Sequence, residues 1–127
     1  MQYCTIGIVD CAAAQDAASW ATGITQARYS SDDAQSFHGG RADSYRHCVW
    51  AGATAQRIGE DRAMTVLTVH ELDATDGQDH VQMDIENDRT GAGIGDASNQ
   101  QGVSDTWGWI MSQCAALADS GKLTRLW

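Results

Sequence analysis

"CAAAQDAASWATGITQAR", residues 11–28, is the stretch on which the fold turns. Ala13, Ala17, Trp20, Ile24 and Ala27 recur at spacings of three and four, which is the period of one face of an α-helix. The segment is also rich in alanine, the best helix former. On its C-terminal side, "YSSDDAQSFHGG" (29–40) is polar, ends in a glycine pair and reads as a loop. A second helix is expected from Ala42 to Ile58, with Gly59 as its stop. Asp61 then caps a third, "RAMTVLTVHELD", whose inward face is Ala63, Val66, Leu67 and His70. After the loop "ATDGQD" comes a shorter helical segment, "HVQMDIENDRTG", closed by Gly91, and the stretch 91–103 reads as exposed turns. A last helix starts at Ser104 or Asp105, either of which can cap it. Its face is Trp107, Ile110, Met111, Cys114, Leu117 and Ala118. Nothing alternates with a period of two, although "CTIGIV" (4–9) leaves room for one short N-terminal strand. The expected fold is all-α, an irregular bundle of four or five helices forming a single domain over 1–127.

Composition narrows what such a bundle can do. A chain of 127 residues is one domain by length and long enough to bury a real core. Seventeen acidic against eight basic side chains give a net charge of −9, and the only lysine is Lys122. A domain of that charge repels a phosphate backbone, so nucleic acid is not an expected partner. A protein partner with a basic surface suits it better. No stretch has the length of a membrane span, and the N-terminus lacks the basic and apolar regions of a signal peptide. The chain is therefore expected to be cytoplasmic, or a mature or excised piece of something exported. Cys4, Cys11, Cys48 and Cys114 allow two disulfides, Cys4–Cys11 and Cys48–Cys114, or four buried free thiols. The C-x6-C spacing at the start is not that of a zinc ribbon.

Three places carry chemistry. In "SYRHCVWAG" (44–52), Arg46 and His47 point about 100° apart on the helix. Asp43, four residues before His47, is placed to accept a proton from its ring and so fix which nitrogen is free. The third helix ends in His70-Glu71. A histidine there suits the helix dipole and the inward face, whereas Glu71 has the wrong sign for a last turn. Ala74 stands where H-E-x-x-H would need its second histidine, which excludes that class of zinc protease. In the fourth segment, Asp84, Asn87 or Asp88, and Gly91 share one face, with Met83 and Ile85 as apolar contacts.

The order Asp43, Tyr45-Arg46-His47, Trp50, then His70-Glu71, then Met83-Asp84, Asn87-Asp88 and Gly91 resembles a family of helical domains. That uncharacterised family occurs in bacterial secreted proteins and at the C-termini of Rhs-type polymorphic toxins. The resemblance covers roughly residues 40–95. It departs from the family's pattern at Asp88, where a second asparagine is usual, and in the loop before Met83. It implies a shared site, not a named reaction.

Two functions follow as expectations. In the first, Arg46, His47, His70, Glu71, Asp84 and Asn87 form a hydrolytic site acting on an envelope component. A divalent metal would be held by His47, His70 and Asp84, with a position left open for water. Without metal, His47 oriented by Asp43 is the base, with Arg46 or Asn87 stabilising an oxyanion. A small phospholipase uses a similar Arg-His pair, but its calcium loop and paired cysteines around the histidine are not visible here. In the second, the protein is a non-catalytic, acidic interaction or immunity-type domain. Its polar residues then form a buried network, with Arg46 paired to Glu71 or Asp84.

Overall fold

A computed structural model describes residues 7–73 and 75–127. Five helices make up the fold: α1 (Ile8–Arg28), α2 (Arg41–Ile58), α3 (Glu60–Leu72), α4 (Gln78–Gln100) and α5 (Thr106–Asp119). There is no strand among the described residues, and the fold is all-α as expected. Ile8 and Val9, assigned above to a strand, open α1 instead; residues 4–6 of that segment lie outside the described residues.

α2 is the axis of the bundle and packs against all four other helices. Every residue from 42 to 55 except Arg46 is buried. A helix surrounded on all sides by others must present apolar or small groups around its whole circumference. α2 does so with Ala42, Ala51, Ala53 and Ala55 between Tyr45, Val49 and Trp50. α1 meets it through Ala14, Ala17 and Ala21, and Trp50 Nε1 donates to the Ala14 carbonyl at 2.7 Å. The buried stripe of α1 therefore runs through Ala17, Ala21 and Thr25. Ala27 is exposed and Trp20 half-buried, the latter lying against Trp107 at 4.5 Å.

The largest correction concerns α4. The expected segment ending at Gly91 and the turns over 91–103 are one continuous helix to Gln100. Glycine punctuates a chain where it is exposed, but here it serves close packing. A methyl group on Gly91 would overlap the Cys48 carbonyl, and one on Gly95 would overlap the Gly52 carbonyl. These two glycines, one turn apart, let α4 lie backbone-to-backbone on α2. Two smaller corrections concern α3. It follows α2 after a one-residue corner at Gly59 (φ 89°), so Gly59 rather than Asp61 stands at its N-cap. At its C-terminal end Glu71 is buried beside Ala63, Val66 and Leu67, while His70 is only partly buried.

α5 begins as expected, with the Asp105 side chain accepting from the Gly108 amide at 3.1 Å. A Cys48–Cys114 disulfide ties it to α2, one of the two pairings expected and not the free thiols. The expected Cys4–Cys11 pairing involves Cys4, which lies outside the described residues. Beyond Gly121 the chain turns back over the start of α4. Asn87 donates to the Thr124 carbonyl at 2.7 Å and accepts from its amide at 2.9 Å. Leu126 N donates to Gly39 O at 2.7 Å.

Candidate metal centre

Helical spacing builds the site from two facing pairs. Asp43 and His47 are one turn apart on α2, and Asp84 and Asp88 one turn apart on α4; each pair therefore projects from a single face. The glycine contact brings those faces together, and the end of α3 adds Glu71. The result is four carboxyl groups around one imidazole. His47 Nδ1 lies 2.9 Å from Asp88 Oδ1 and 3.9 Å from Glu71 Oε1. His47 Nε2 lies 3.3 Å from Asp84 Oδ1 and 3.7 Å from Asp43 Oδ1. None of these five side chains is more than 9% exposed.

The hydrogen bonds fix the state of the ring. Asp88, not Asp43, is the hydrogen-bond partner of His47 Nδ1. Arg46 Nη2 lies 3.4 Å from Nε2 and donates to Asp43 Oδ1 at 2.7 Å. Arg46 can only donate, so a neutral ring turns its Nε2 lone pair toward the guanidinium and carries its proton on Nδ1. Burial pushes the His47 pKa down, which favours that neutral ring, although the facing Asp84 opposes the shift. Asp43 is held elsewhere, by Arg46 and by the Gly39 amide, 2.8 Å from Oδ2. Of the pairings expected for Arg46, neither Glu71 nor Asp84 is the partner; Asp43 is.

The carboxyls are short of partners. Glu71 Oε1, Asp84 Oδ1 and Asp88 Oδ2 are buried without a hydrogen bond. The 3.3 Å approach of Asp84 Oδ1 to His47 Nε2 lies outside hydrogen-bond geometry. Burial, reinforced by the neighbouring acids, raises Glu71 to about 7 and Asp84 to about 8, and lifts Asp88 well above the usual carboxylate range. Four acids facing one neutral ring and one partly exposed guanidinium form a strongly acidic cluster. Such a cluster must take up protons or a cation to remain buried.

Around His47, two sets of donor atoms are compact enough for an ion: Asp43, His47 and Asp84, and His47, Glu71 and Asp88, each within 4.8 Å. The ring's tautomer favours the first. It gathers on Nε2, where Arg46 Nη2 at 3.4 Å is the hydrogen-bond contact, and the Asp88 carboxyl group on Nδ1 completes the acid–histidine–metal arrangement that orients metal-binding imidazoles. Of the residues named from the sequence, the structure gathers His47, Glu71 and Asp84, with Arg46 at the edge. His70 stands apart from both sets. Its ring meets Trp50 edge-on at 5.1 Å, its Nε2 is 4.0 Å from Glu71 Oε1, and burial lowers its pKa. Asn87 holds the C-terminal tail, not the cluster. Asp88, the residue nearest the ring, was named with Asn87 on the α4 face but not as a partner of His47. Its one-turn spacing from Asp84 was the signal for it.

Arg46, Trp50 and His70 lie against this cluster. They form one wall of a cleft of about 170 Å³ whose other wall is α1, through Ala14, Gln15, Ala18, Ala21 and Thr22. No helix is long and apolar enough to cross a membrane among the described residues. The chain matches no curated protein and no solved structure. The model of one family, DUF6973, a domain of unknown function, matches residues 2–119 and so spans α1 through α5. With the match running over nearly the whole chain, the protein belongs to this family of domains of unknown function.

Proposed function

We propose that the protein is a metal-assisted hydrolase. The observation that carries this reading is the set of three buried, unpartnered carboxylate oxygens gathered around the His47 ring. His47, Asp43 and Asp84 hold a divalent cation, and Asp88 orients the ring. Two carboxylates and an imidazole suit Zn²⁺ or Mn²⁺. The bound ion supplies Lewis acidity and lowers the pKa of a water molecule beside it. Glu71, buried beside the donor set, would carry the proton, and His70 would relay it between Glu71 and the cleft. Arg46, the cleft's only cation among its lining residues, neutralises charge developing on the substrate.

The cleft's alanines and Trp50 suit a substrate with an apolar chain, and the net charge of −9 disfavours a polyanion. Together with the resemblance to domains of secreted proteins, this supports a lipid or another envelope component as substrate. The Cys48–Cys114 disulfide supports an exported domain, because such bonds persist in oxidising compartments.

A second reading is favoured by one observation, the near-complete burial of all five groups. In it, protons neutralise the cluster, which serves only to fix the packing of an acidic interaction domain. Assay of envelope lipids and peptidoglycan with the purified protein separates the two. The hydrolase reading expects product release that EDTA abolishes, that Zn²⁺ or Mn²⁺ restores, and that Asp84→Asn lowers at least about a hundredfold. Turnover indifferent to EDTA, or unchanged in Asp84→Asn, contradicts it.

A further inference from the structure

We propose that His38, His80 and Asp43 form a second, surface-facing site for an imidazole-preferring dication of the Zn²⁺ class. The three donor groups come from three separate parts of the chain: the 29–40 loop, α2 and the first turn of α4. Their ligand atoms all lie within 4.8 Å of one another. The two imidazoles stack at 4.4 Å with 26° between their planes. Neither ring makes a hydrogen bond to any described residue, so their nitrogens remain available for a metal. Asp43 is buried, and the Gly39 amide and Arg46 hold it in place; the third ligand is therefore fixed before an ion arrives.

The surrounding backbone is shaped to let the rings approach. Gly39 has φ 101°, a conformation that side chains rarely adopt. A Cβ there would lie 2.9 Å from Trp127 and 3.0 Å from His80. The C-terminal tail forms the wall of the site. Trp127 meets His80 edge-on at 5.8 Å and donates to the Gln35 carbonyl at 2.8 Å. His38 is exposed and His80 half-buried, so the ion has a route in and a position left for water or an external ligand.

Two imidazoles and one carboxylate select Zn²⁺ and its neighbours over Mg²⁺ or Ca²⁺, which prefer oxygen donors. An ion here pins the 29–40 loop to α4 beneath the tail. Asp43 belongs to both this set and the inner one, but the surface site stands on its own geometry and does not require the inner centre to be occupied.

The test is metal counting on untagged, EDTA-treated protein dialysed against micromolar Zn²⁺ with excess Mg²⁺. His38→Ala/His80→Ala is compared with wild type, alone and in an Asp84→Asn background. Loss of one equivalent of Zn²⁺ with the double variant, in both backgrounds, is the expected result. If the inner centre binds nothing, wild type holds one equivalent and the double variant none, which supports the surface site while overturning the inner one. Equal Zn²⁺ in wild type and the double variant overturns the surface site. Each single histidine variant should weaken Zn²⁺ at least about tenfold. Circular dichroism keeps a folding defect from passing as lost binding, since His38 is exposed and His80 only half-buried.

Discussion

At His47 the chemistry is set by an imbalance between acids and bases. Asp84 titrates at about 8 and Glu71 at about 7, from ordinary values of 3.8 and 4.5. Between those limits the folded, metal-free protein holds protons that the unfolded chain has released. The folded state then binds more protons, so stability falls as pH rises. His47 has the opposite sign. Its pKa is lowered, so the stability it contributes is present above its ordinary value of 6.5 and is lost as pH falls below it. Above pH 6.5 the carboxyls therefore act without opposition. In EDTA, stability should decline from pH 6.5 to 8.5, by up to about 1.4 kcal/mol per pH unit for each group still titrating. Saturating dication should flatten the decline, and urea unfolding across that range measures both. A metal-free profile that rises over this window contradicts the cluster's charge balance. His47, Glu71 and Asp84 could be singled out from sequence because each sits badly with a bland explanation. Asp88 was harder to single out: an acid on a helix next to Asn87 looks like a solvated face until a partner helix covers it.

Between elements, the α2–α4 contact decides whether those residues meet at all. Gly91 and Gly95 press on the carbonyls of Cys48 and Gly52, so a methyl group at Gly95 forces the helices apart. Gly95→Ala should destabilise the fold by about 1–3 kcal/mol in urea unfolding, the cost of overpacking a tight core. Gly93→Ala is the control. Its new Cβ would meet only the Glu60 carboxylate at 3.3 Å, the end of a flexible side chain. Better helix propensity then makes the change neutral or stabilising by up to about 1 kcal/mol. Equal costs at the two positions would refute the contact. The same glycines explain the misread of 91–103. Composition marks a glycine-rich stretch as turns, and only the partner helix reveals that close approach is what the glycines provide. The helix over α1, the stop at Gly59 and the Asp105 cap were legible because local spacing and capping chemistry fix them, whereas the face α1 buries was legible only at Ala13 and Ala17.

For the molecule as a whole, α2 carries the bundle and the Cys48–Cys114 disulfide closes a long loop across it. The two cysteines lie 66 positions apart in the sequence. A cross-link of that span restricts the unfolded chain by about 4 kcal/mol in the loop-entropy account. Reduction should lower the urea midpoint accordingly while leaving the helical signal of the folded state intact; an unchanged midpoint contradicts that role. The all-helical class and the cysteine pair could be read from local pattern. The path of the C-terminal tail over Asn87 could not, because the pairing of distant polar groups leaves no periodic trace. The proposed centre around His47 carries the functional reading of this architecture, and metal binding tests it most directly. Untagged His38→Ala/His80→Ala protein, which removes the surface imidazoles, should retain one dication per chain after dialysis against micromolar Zn²⁺ or Mn²⁺. Adding Asp84→Asn should weaken that binding at least about tenfold with the helical spectrum preserved. No retained metal, or metal held equally well with Asn at position 84, would contradict a centre formed by His47, Asp43 and Asp84.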